Sequence, residues 1–306
     1  MMSCGSVQYA TTPAPPCGVG KSRTPAPSRA AEGGPARSIA VAGSDGRRIR
    51  VRIAAEREVR EQAFRLLAVN YQARGYERPS SRPFRFTPHH VLPDTVTLVA
   101  EREGHVVATM SLVPDTGLLG LPMESIYGPE VAAMRAEGRR MAEAISLADR
   151  DLTHRDFMRV FGAMIRLSIR YHLHNGGDSW VITVNPRHSN FYRKALGFVP
   201  FGGLRAYPNV CDHPAEALLL DMDLLRDNAP KVYREVVDEP LSEAALTPPP
   251  YSPDLVRYFA ERSTQSDRAT MFRLIGDVER IGARPRWRDA GRREAEAFGP
   301  YREMLA

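Results

Sequence analysis

Cysteine is scarce in this chain: Cys4, Cys17 and Cys211 are the three among 306 residues. Three thiols cannot all pair, and their spacing builds no metal site, so a disulfide-framed scaffold is excluded. That usage fits a reducing compartment, and the expectation is a cytoplasmic protein. Long apolar runs are missing as well, and none approaches the roughly 18 residues needed to span a bilayer. The N-terminal stretch is broken by proline and has no apolar h-region, which argues against a secretory leader. Being Arg-rich and acid-poor, it leaves an organelle-targeting peptide open.

Net charge is +6, which by itself invites a nucleic-acid reading. Its distribution argues otherwise. Residues 1–52 hold eight Lys/Arg against two acids, the whole excess, so the remainder is balanced and carries no basic footprint. Residues 1–46 are rich in Pro, Ala and Ser and read as a disordered basic tail. The chain is 43% hydrophobic and 25% charged, ordinary values for a globular protein.

Periodicity supplies the elements. Arg48-Ile49-Arg50-Val51-Arg52-Ile53 alternates as a half-buried strand, and Glu56–Tyr71 has helical spacing. Residues 77–93 read as a long loop. Thr95–Glu101 and His105–Val113 form a hairpin about Glu103-Gly104. A loop over Pro114–Tyr127 and a short helix over Glu130–Ala136 follow. Arg139–Leu147 reads as a strand. Thr153-His154-Arg155-Asp156 opens a helix in capping-box fashion, with Phe157, Val160, Phe161 and Met164 on one face. Strand 179–184, helix 189–195 and strand Ala217–Met222 complete the set. The order predicts an α+β fold with one mixed β-sheet flanked by helices. Beyond Leu225 a proline-rich linker, Thr247–Pro253, precedes charged amphipathic helices, so residues 226–306 read as a linker and helical C-terminal extension.

The densest signal is Trp180–Phe198. A β-branched strand stops at Asn185-Pro186, His188 and Tyr192 then share a helix face, and Gly197 stands where a left-handed cap is needed. Glu143 is a lone carboxylate within an apolar strand: either an outward-facing residue or a buried acid whose pKa is raised towards a useful general-base value. Arg139 could pair with it, hold a substrate carboxylate, or be solvated. His188 could be a base, a phosphate contact or a polar helix start. Tyr192 could protonate a leaving group or belong to the core. Arg187, Arg193 and Lys194 suit an anionic partner or mere solvation. Asp115 and Glu124 flank a Gly/Pro loop and could meet an ammonium group or shape a turn. His89, His90, His172 and His174 complete no ligand set, so no metal is expected.

Several strings occur in a telling order: Tyr71-x-x-Arg74-Gly75-Tyr76, Ala108-Thr109-Met110-Ser111-Leu112-Val113-x-Asp115, Gly120-Leu121-Pro122-Met123-Glu124, Gly138-Arg139-Arg140-x-Ala142-Glu143-x-x-x-Leu147 and Asn185-Pro186-Arg187-His188-x-x-Phe191-Tyr192. Together, over roughly residues 47–225, they resemble the long-chain N-acyl amino acid synthases of the FeeM type. These are GNAT-fold acyltransferases related to acyl-homoserine-lactone synthases. The resemblance implies a GNAT-like domain over 47–225 and transfer of a fatty acyl group from acyl carrier protein to an amino acid, often tyrosine. It implies Glu143 as the leading catalytic carboxylate, with Arg139 beside it; His188 and Tyr192 stand as further catalytic candidates from their place on the helix face.

In that reading the donor is the phosphopantetheine thioester of acyl carrier protein, with acyl-CoA the alternative and no resident cofactor. Phe157, Phe161, Met164, Val184 and Asn185 line the acyl cleft, Asp115 and Glu124 face the ammonium group, and Arg187 and Arg193 meet the carrier's acidic surface. Two positions depart from the GNAT pattern. Ala148–Arg155, where a glycine-bearing pyrophosphate loop belongs, contains no glycine, which favours a donor without a diphosphate. Tyr192 stands five residues before Gly197 rather than four. A non-catalytic acyl-sensing module of the same fold is the remaining alternative.

Overall fold

The computed structural model describes residues 37–281, apart from Pro93, Gly117, Glu239, Pro240, Pro250 and Ser266. The expected tail lies outside the described residues as far as residue 36, as does the end of the C-terminal extension beyond Ile281. An eight-stranded sheet organises the rest: β1 (Ile39–Ala42), β2 (Arg48–Ile53), β3 (Val96–Arg102), β4 (His105–Pro114), β5 (Met141–Asp149), β6 (Ser179–Val184), β7 (Val199–Tyr207) and β8 (His213–Asp221). The spatial order is β1-β2-β3-β4-β5-β6-β8-β7. Every neighbouring pair is antiparallel except β5 with β6.

Alternation along the strands sorts side chains onto two faces. On one face, Leu98, Met110, Leu112, Ala142, Trp180, Ile182 and Leu218 pack under α3 (His154–His174). That helix buries Val160, Phe161, Met164 and Leu167, each such side chain contributing about 1.5–3 kcal/mol. Thr153 caps it by accepting from the Asp156 N–H at 3.1 Å. Three shorter helices join the same cluster: α4 (Pro186–Leu196), α5 (Met222–Asn228) and α6 (Pro230–Val237).

The other face carries α1 (Arg57–Ala73) and α2 (Glu124–Ala136). The C-terminal helices α7 (Pro253–Glu261) and α8 (Arg268–Ile281) pack against α1 through Phe259, Ala260, Met271 and Leu274, around Phe64, Phe84 and Phe86. The described part of the extension is therefore joined to the core.

Three elements differ from the sequence reading. β1 falls inside the segment assigned to the tail, so ordered structure begins before residue 47. α2 starts at Glu124, inside the expected loop, and kinks at Tyr127 (φ −123°, ψ 28°) two residues ahead of Pro129. β7 was not foreseen. It is an edge strand in which Pro200 and Gly202 accompany register shifts against β8. A Cβ on Gly202 would lie 2.6 Å from the Tyr127 ring, so only glycine fits there.

Candidate active site

The parallel pair β5–β6 is short. It runs from Met141 opposite Ser179 to Ala144 opposite Ile182. β5 then continues to Asp149 paired only with β4, while Thr183 and Val184 of β6 pair with β8. A bulge drives the separation: Thr109 faces Ala148 and Ser111 faces Ile145, so β5 has an extra residue, and Ser146 takes a left-handed φ of 60°. The two strands part like a wedge from Ala144 onward.

Glu143 stands just before that divergence and is 1% exposed. Its side chain points to the α2 face, between the cross-strand neighbours Val113 and Val181. Oε2 accepts from the Met123 N–H at 2.8 Å, and Oε1 accepts from the Thr183 hydroxyl at 3.1 Å. Burial dominates its titration and pushes the pKa up to about 8, despite the two donors that favour the anion. The buried Tyr207 hydroxyl is raised too, by burial first and then by the Glu143 charge.

On the α3 face, the lips of the wedge are apolar and partly exposed: Ala144 and Leu147 of β5, Leu152, Phe157, Val184 of β6 and Phe191 of α4. Phe157 stacks on Phe161 at 5.7 Å and 8°, and Phe161 meets Phe191 and Tyr192, each at 6.0 Å. Met164 lies beneath, fully buried in the closed core. Tyr192 packs on Phe198 at 5.6 Å, and burial raises its hydroxyl to about 12. The aromatic run and the carboxylate thus occupy opposite faces, connected where the strands part.

At the carboxyl end of β6, Asn185 caps α4 by accepting from the Arg187 N–H at 3.2 Å, and Gly197 closes the helix at φ 76°. Arg187 donates to His188 Nε2 at 2.9 Å and to the Tyr76 hydroxyl at 3.3 Å. Burial, then the charges of Arg187 and Arg74, lower the His188 pKa, so the ring is held neutral. No contact joins His188 to Glu143. Arg193 is exposed on the outer turn of α4, where it lines a surface cavity of about 320 Å³ with Asn190, Lys194, Phe198, Val199 and Pro200. None of those residues belongs to β5 or β6.

Three expected site residues serve other partners. Arg139 precedes β5 at the closed end of the wedge, ion-paired to Asp221 and 3.4 Å from the Ser179 hydroxyl, not beside Glu143. Asp115 is held bidentately by Arg135 at 2.6 and 2.8 Å, and Glu124 binds the same guanidinium while accepting from the Leu121 N–H at 2.6 Å. Both carboxylates are already engaged by one shared guanidinium, which disfavours a role in meeting an ammonium group. The residue that sequence reasoning passed over is Thr183, hidden because a β-branched threonine is unremarkable in a strand.

The stretch from the end of β5 into the first turn of α3 contains Asp149, Asp151 and Asp156. Asp156 is ionised below its usual range by the Ser44 hydroxyl (2.6 Å) and the Ser44 N–H (2.8 Å). Among the described residues, no group of three His, Cys, Asp or Glu is placed to hold a metal ion, and no helix is long and apolar enough to cross a membrane.

Comparison with known proteins accords with this geometry. Residues 62–221 match the family model of the N-acyl amino acid synthase FeeM. The solved structure of FeeM, from uncultured soil microbes, is 30% identical over 60% of this chain and 96% of that one, with a TM-score of 0.52. The acyl-homoserine-lactone synthase LasI is 16% identical over 60% and 90% (TM-score 0.44), and the CoA-dependent synthase MesI 18% over 64% and 98% (TM-score 0.45). No curated protein matches in sequence. With an opened β5–β6 wedge, a buried carboxyl at its apex and a match across half its length, the chain belongs to the FeeM family of N-acyl amino acid synthases and is an N-acyltransferase.

Proposed function

We propose that this N-acyltransferase moves a long-chain acyl group from the phosphopantetheine of acyl carrier protein to the α-amine of an amino acid, with Glu143 as general base. The observation that carries this reading is the buried Glu143 carboxyl, linked through Thr183 to the opening between β5 and β6. Aminolysis of a thioester needs a group to take the ammonium proton, donors for the tetrahedral oxyanion, and departure of a thiolate. A carboxyl with a pKa near 8 suits the first task at neutral to mildly alkaline pH. Backbone N–H groups of β5 beyond its pairing with β6 are the candidates for the second.

The acyl chain lies along the partly exposed apolar lip of Leu147, Phe157, Val184 and Phe191, with Phe161 and Met164 forming its floor from below. The amine approaches from the α2 face, where Glu143 points. Tyr192 acts as part of the aromatic wall, and His188, neutral and rim-exposed, stands at the mouth of the thioester path with Arg187. The carrier's acidic surface docks on Arg187 and Arg193 of α4.

The glycine-free β5–α3 segment supports a donor that lacks a diphosphate, because it has no glycine to let backbone amides close on phosphates and Asp156 occupies the first turn of α3. Acyl-CoA is the alternative. Purified protein offered dodecanoyl carrier protein and dodecanoyl-CoA in parallel, with all twenty amino acids, separates the two. Mass spectrometry is expected to find an N-dodecanoyl amino acid with the carrier donor at a kcat/KM well above that with CoA. A preference for CoA overturns the donor, and an absence of any acylated amino acid overturns the acceptor.

A further inference from the structure

The segment between α1 and β3 carries a buried ion pair that the chemistry above does not use. Arg85 is 6% exposed and Glu77 9%. Arg85 Nη1 donates to Glu77 Oε1 at 2.8 Å, Nη2 reaches only the Asn209 carbonyl at 3.3 Å, and Nε has no hydrogen-bond partner among the described residues. The guanidinium lies over Tyr71, its Cζ 4.1 Å from the ring centroid. A buried guanidinium N–H without an acceptor is costly, so the vacant edge calls for an explanation.

Other arginines of this fold show what that edge holds. Arg52 grips Glu101 through Nε at 2.7 Å and Nη2 at 3.1 Å. Arg135 grips Asp115 through the same two nitrogens. In Arg85 the Nε–Nη2 edge has the fork geometry for a carboxylate and meets one long backbone contact instead.

A chain of contacts runs from this edge, through Asn209, towards Glu143. The Asn209 side-chain amide donates to the Tyr207 hydroxyl at 3.2 Å and lies 3.5 Å from the Pro122 carbonyl, and the next residue, Met123, gives its N–H to Glu143. The charges of Glu143 and Arg85 both act on the Tyr207 hydroxyl, in opposite senses. An amino acid carries its carboxylate one carbon from its amine, so a site for it needs an anion-binding group close to the base.

Glu77 is fixed from behind. Its Oε1 also accepts from the Thr264 hydroxyl at 2.9 Å and from the Gln265 side chain, between α7 and α8. The Thr264 N–H donates to the Phe84 carbonyl at 2.7 Å, and the Ser263 hydroxyl to that of Phe86 at 2.6 Å. These anchors lie outside the 62–221 family match.

We propose that Arg85 binds the α-carboxylate of the acceptor amino acid through its Nε–Nη2 edge, while Ser263–Gln265 of the C-terminal extension hold it in register through Glu77. This rests on the acceptor being an amino acid, and it names the group that separates an amino acid from a simple amine. An acceptor without the carboxylate leaves the buried edge unpaired and is rejected for that reason.

The test uses the full chain with dodecanoyl carrier protein or dodecanoyl-CoA, whichever turns over, and compares the best amino acid with its own carboxamide. The free acid is expected to exceed the amide in kcat/KM by about 10- to 100-fold. Arg85→Gln is expected to collapse that ratio towards one, acting through KM, with Arg85→Lys intermediate and Thr264→Val lowering it partly. A wild-type ratio near one, or an Arg85→Gln loss equal for both acceptors, overturns the assignment. If Arg85→Gln does not fold, the wild-type ratio and Arg85→Lys still decide. Acylation of simple amines but of no amino acid overturns the acceptor class itself; acylation of amino acids without discrimination overturns Arg85 alone.

Discussion

The Thr183 hydroxyl donates to Glu143 Oε1 across 3.1 Å, from the first β6 residue beyond the stretch paired with β5. This contact joins a buried carboxyl to the place where the sheet opens. In the proposed reaction it offers a proton taken in the wedge a short route to a carboxyl that is itself 1% exposed.

Removing that donor should move the titration. Thr183→Val takes away a hydrogen bond that favours the Glu143 anion, so its pKa should rise above about 8. The alkaline-rising limb of the pH dependence of kcat/KM should shift to higher pH, and turnover at pH 7 should fall several-fold. A limb at the wild-type position excludes Glu143 as the group observed.

Stability should vary with pH in a defined sense. The folded pKa of Glu143 lies above its unfolded value, so below about pH 4.5 both states are protonated and burial carries no ionisation penalty. As pH rises towards 8 the unfolded chain releases its proton first, and wild-type stability falls. Glu143→Gln lacks that penalty. Its melting temperature should match wild type near pH 5 and exceed it by about 5 °C or more near pH 9. Equal melting temperatures at pH 9 contradict the burial.

Arg139 should matter to folding more than to turnover. Its partner Asp221 has a side chain 5% exposed and also caps α5 through the N–H groups of Asp223 and Leu224. Arg139 is itself partly exposed, which discounts the pair, so Arg139→Ala should cost about 1–2 kcal/mol in urea unfolding. Turnover of the folded fraction should stay within about threefold. A loss of 100-fold or more with unchanged stability would return Arg139 to the chemistry.

Charge reversal on α4 tests the docking face. Arg187→Glu and Arg193→Glu should raise KM for the carrier-protein donor about tenfold at low salt, and less at 0.5 M salt, because exposed charges are screened. KM for a short pantetheine thioester should hardly change for Arg193→Glu. An equal effect on both donors would place Arg193 elsewhere.

Much of the core was legible because its signals are local. Arg48–Ile53 alternates, α3 keeps one apolar face beneath a Thr153 cap, and Asn185-Pro186 with Gly197 brackets α4. Glu143 stood out as a single acid in an apolar strand. What escaped depends on distant partners. β7 contains Pro200, Gly202 and Gly203 and reads as a loop until the Tyr127 ring, seated against Gly202, gives the glycine its reason. The role of Arg139 is set by Asp221, 82 positions away, and that of Asp115 by Arg135. Arg85 looks like one more charge in a Pro/Arg loop; its burial is created by Tyr71, Asn209 and the C-terminal segment, which no local pattern foretells.

The most direct measurement is single-turnover acyl transfer by Glu143→Gln at saturating acceptor, alongside circular dichroism and a melt at pH 5. The Gln side chain keeps acceptor and donor atoms for the Met123 N–H and the Thr183 hydroxyl, so the fold should persist while the rate drops by about 100- to 10,000-fold. A well-folded variant acylating its amino acid within about threefold of wild type would show that another group removes the proton.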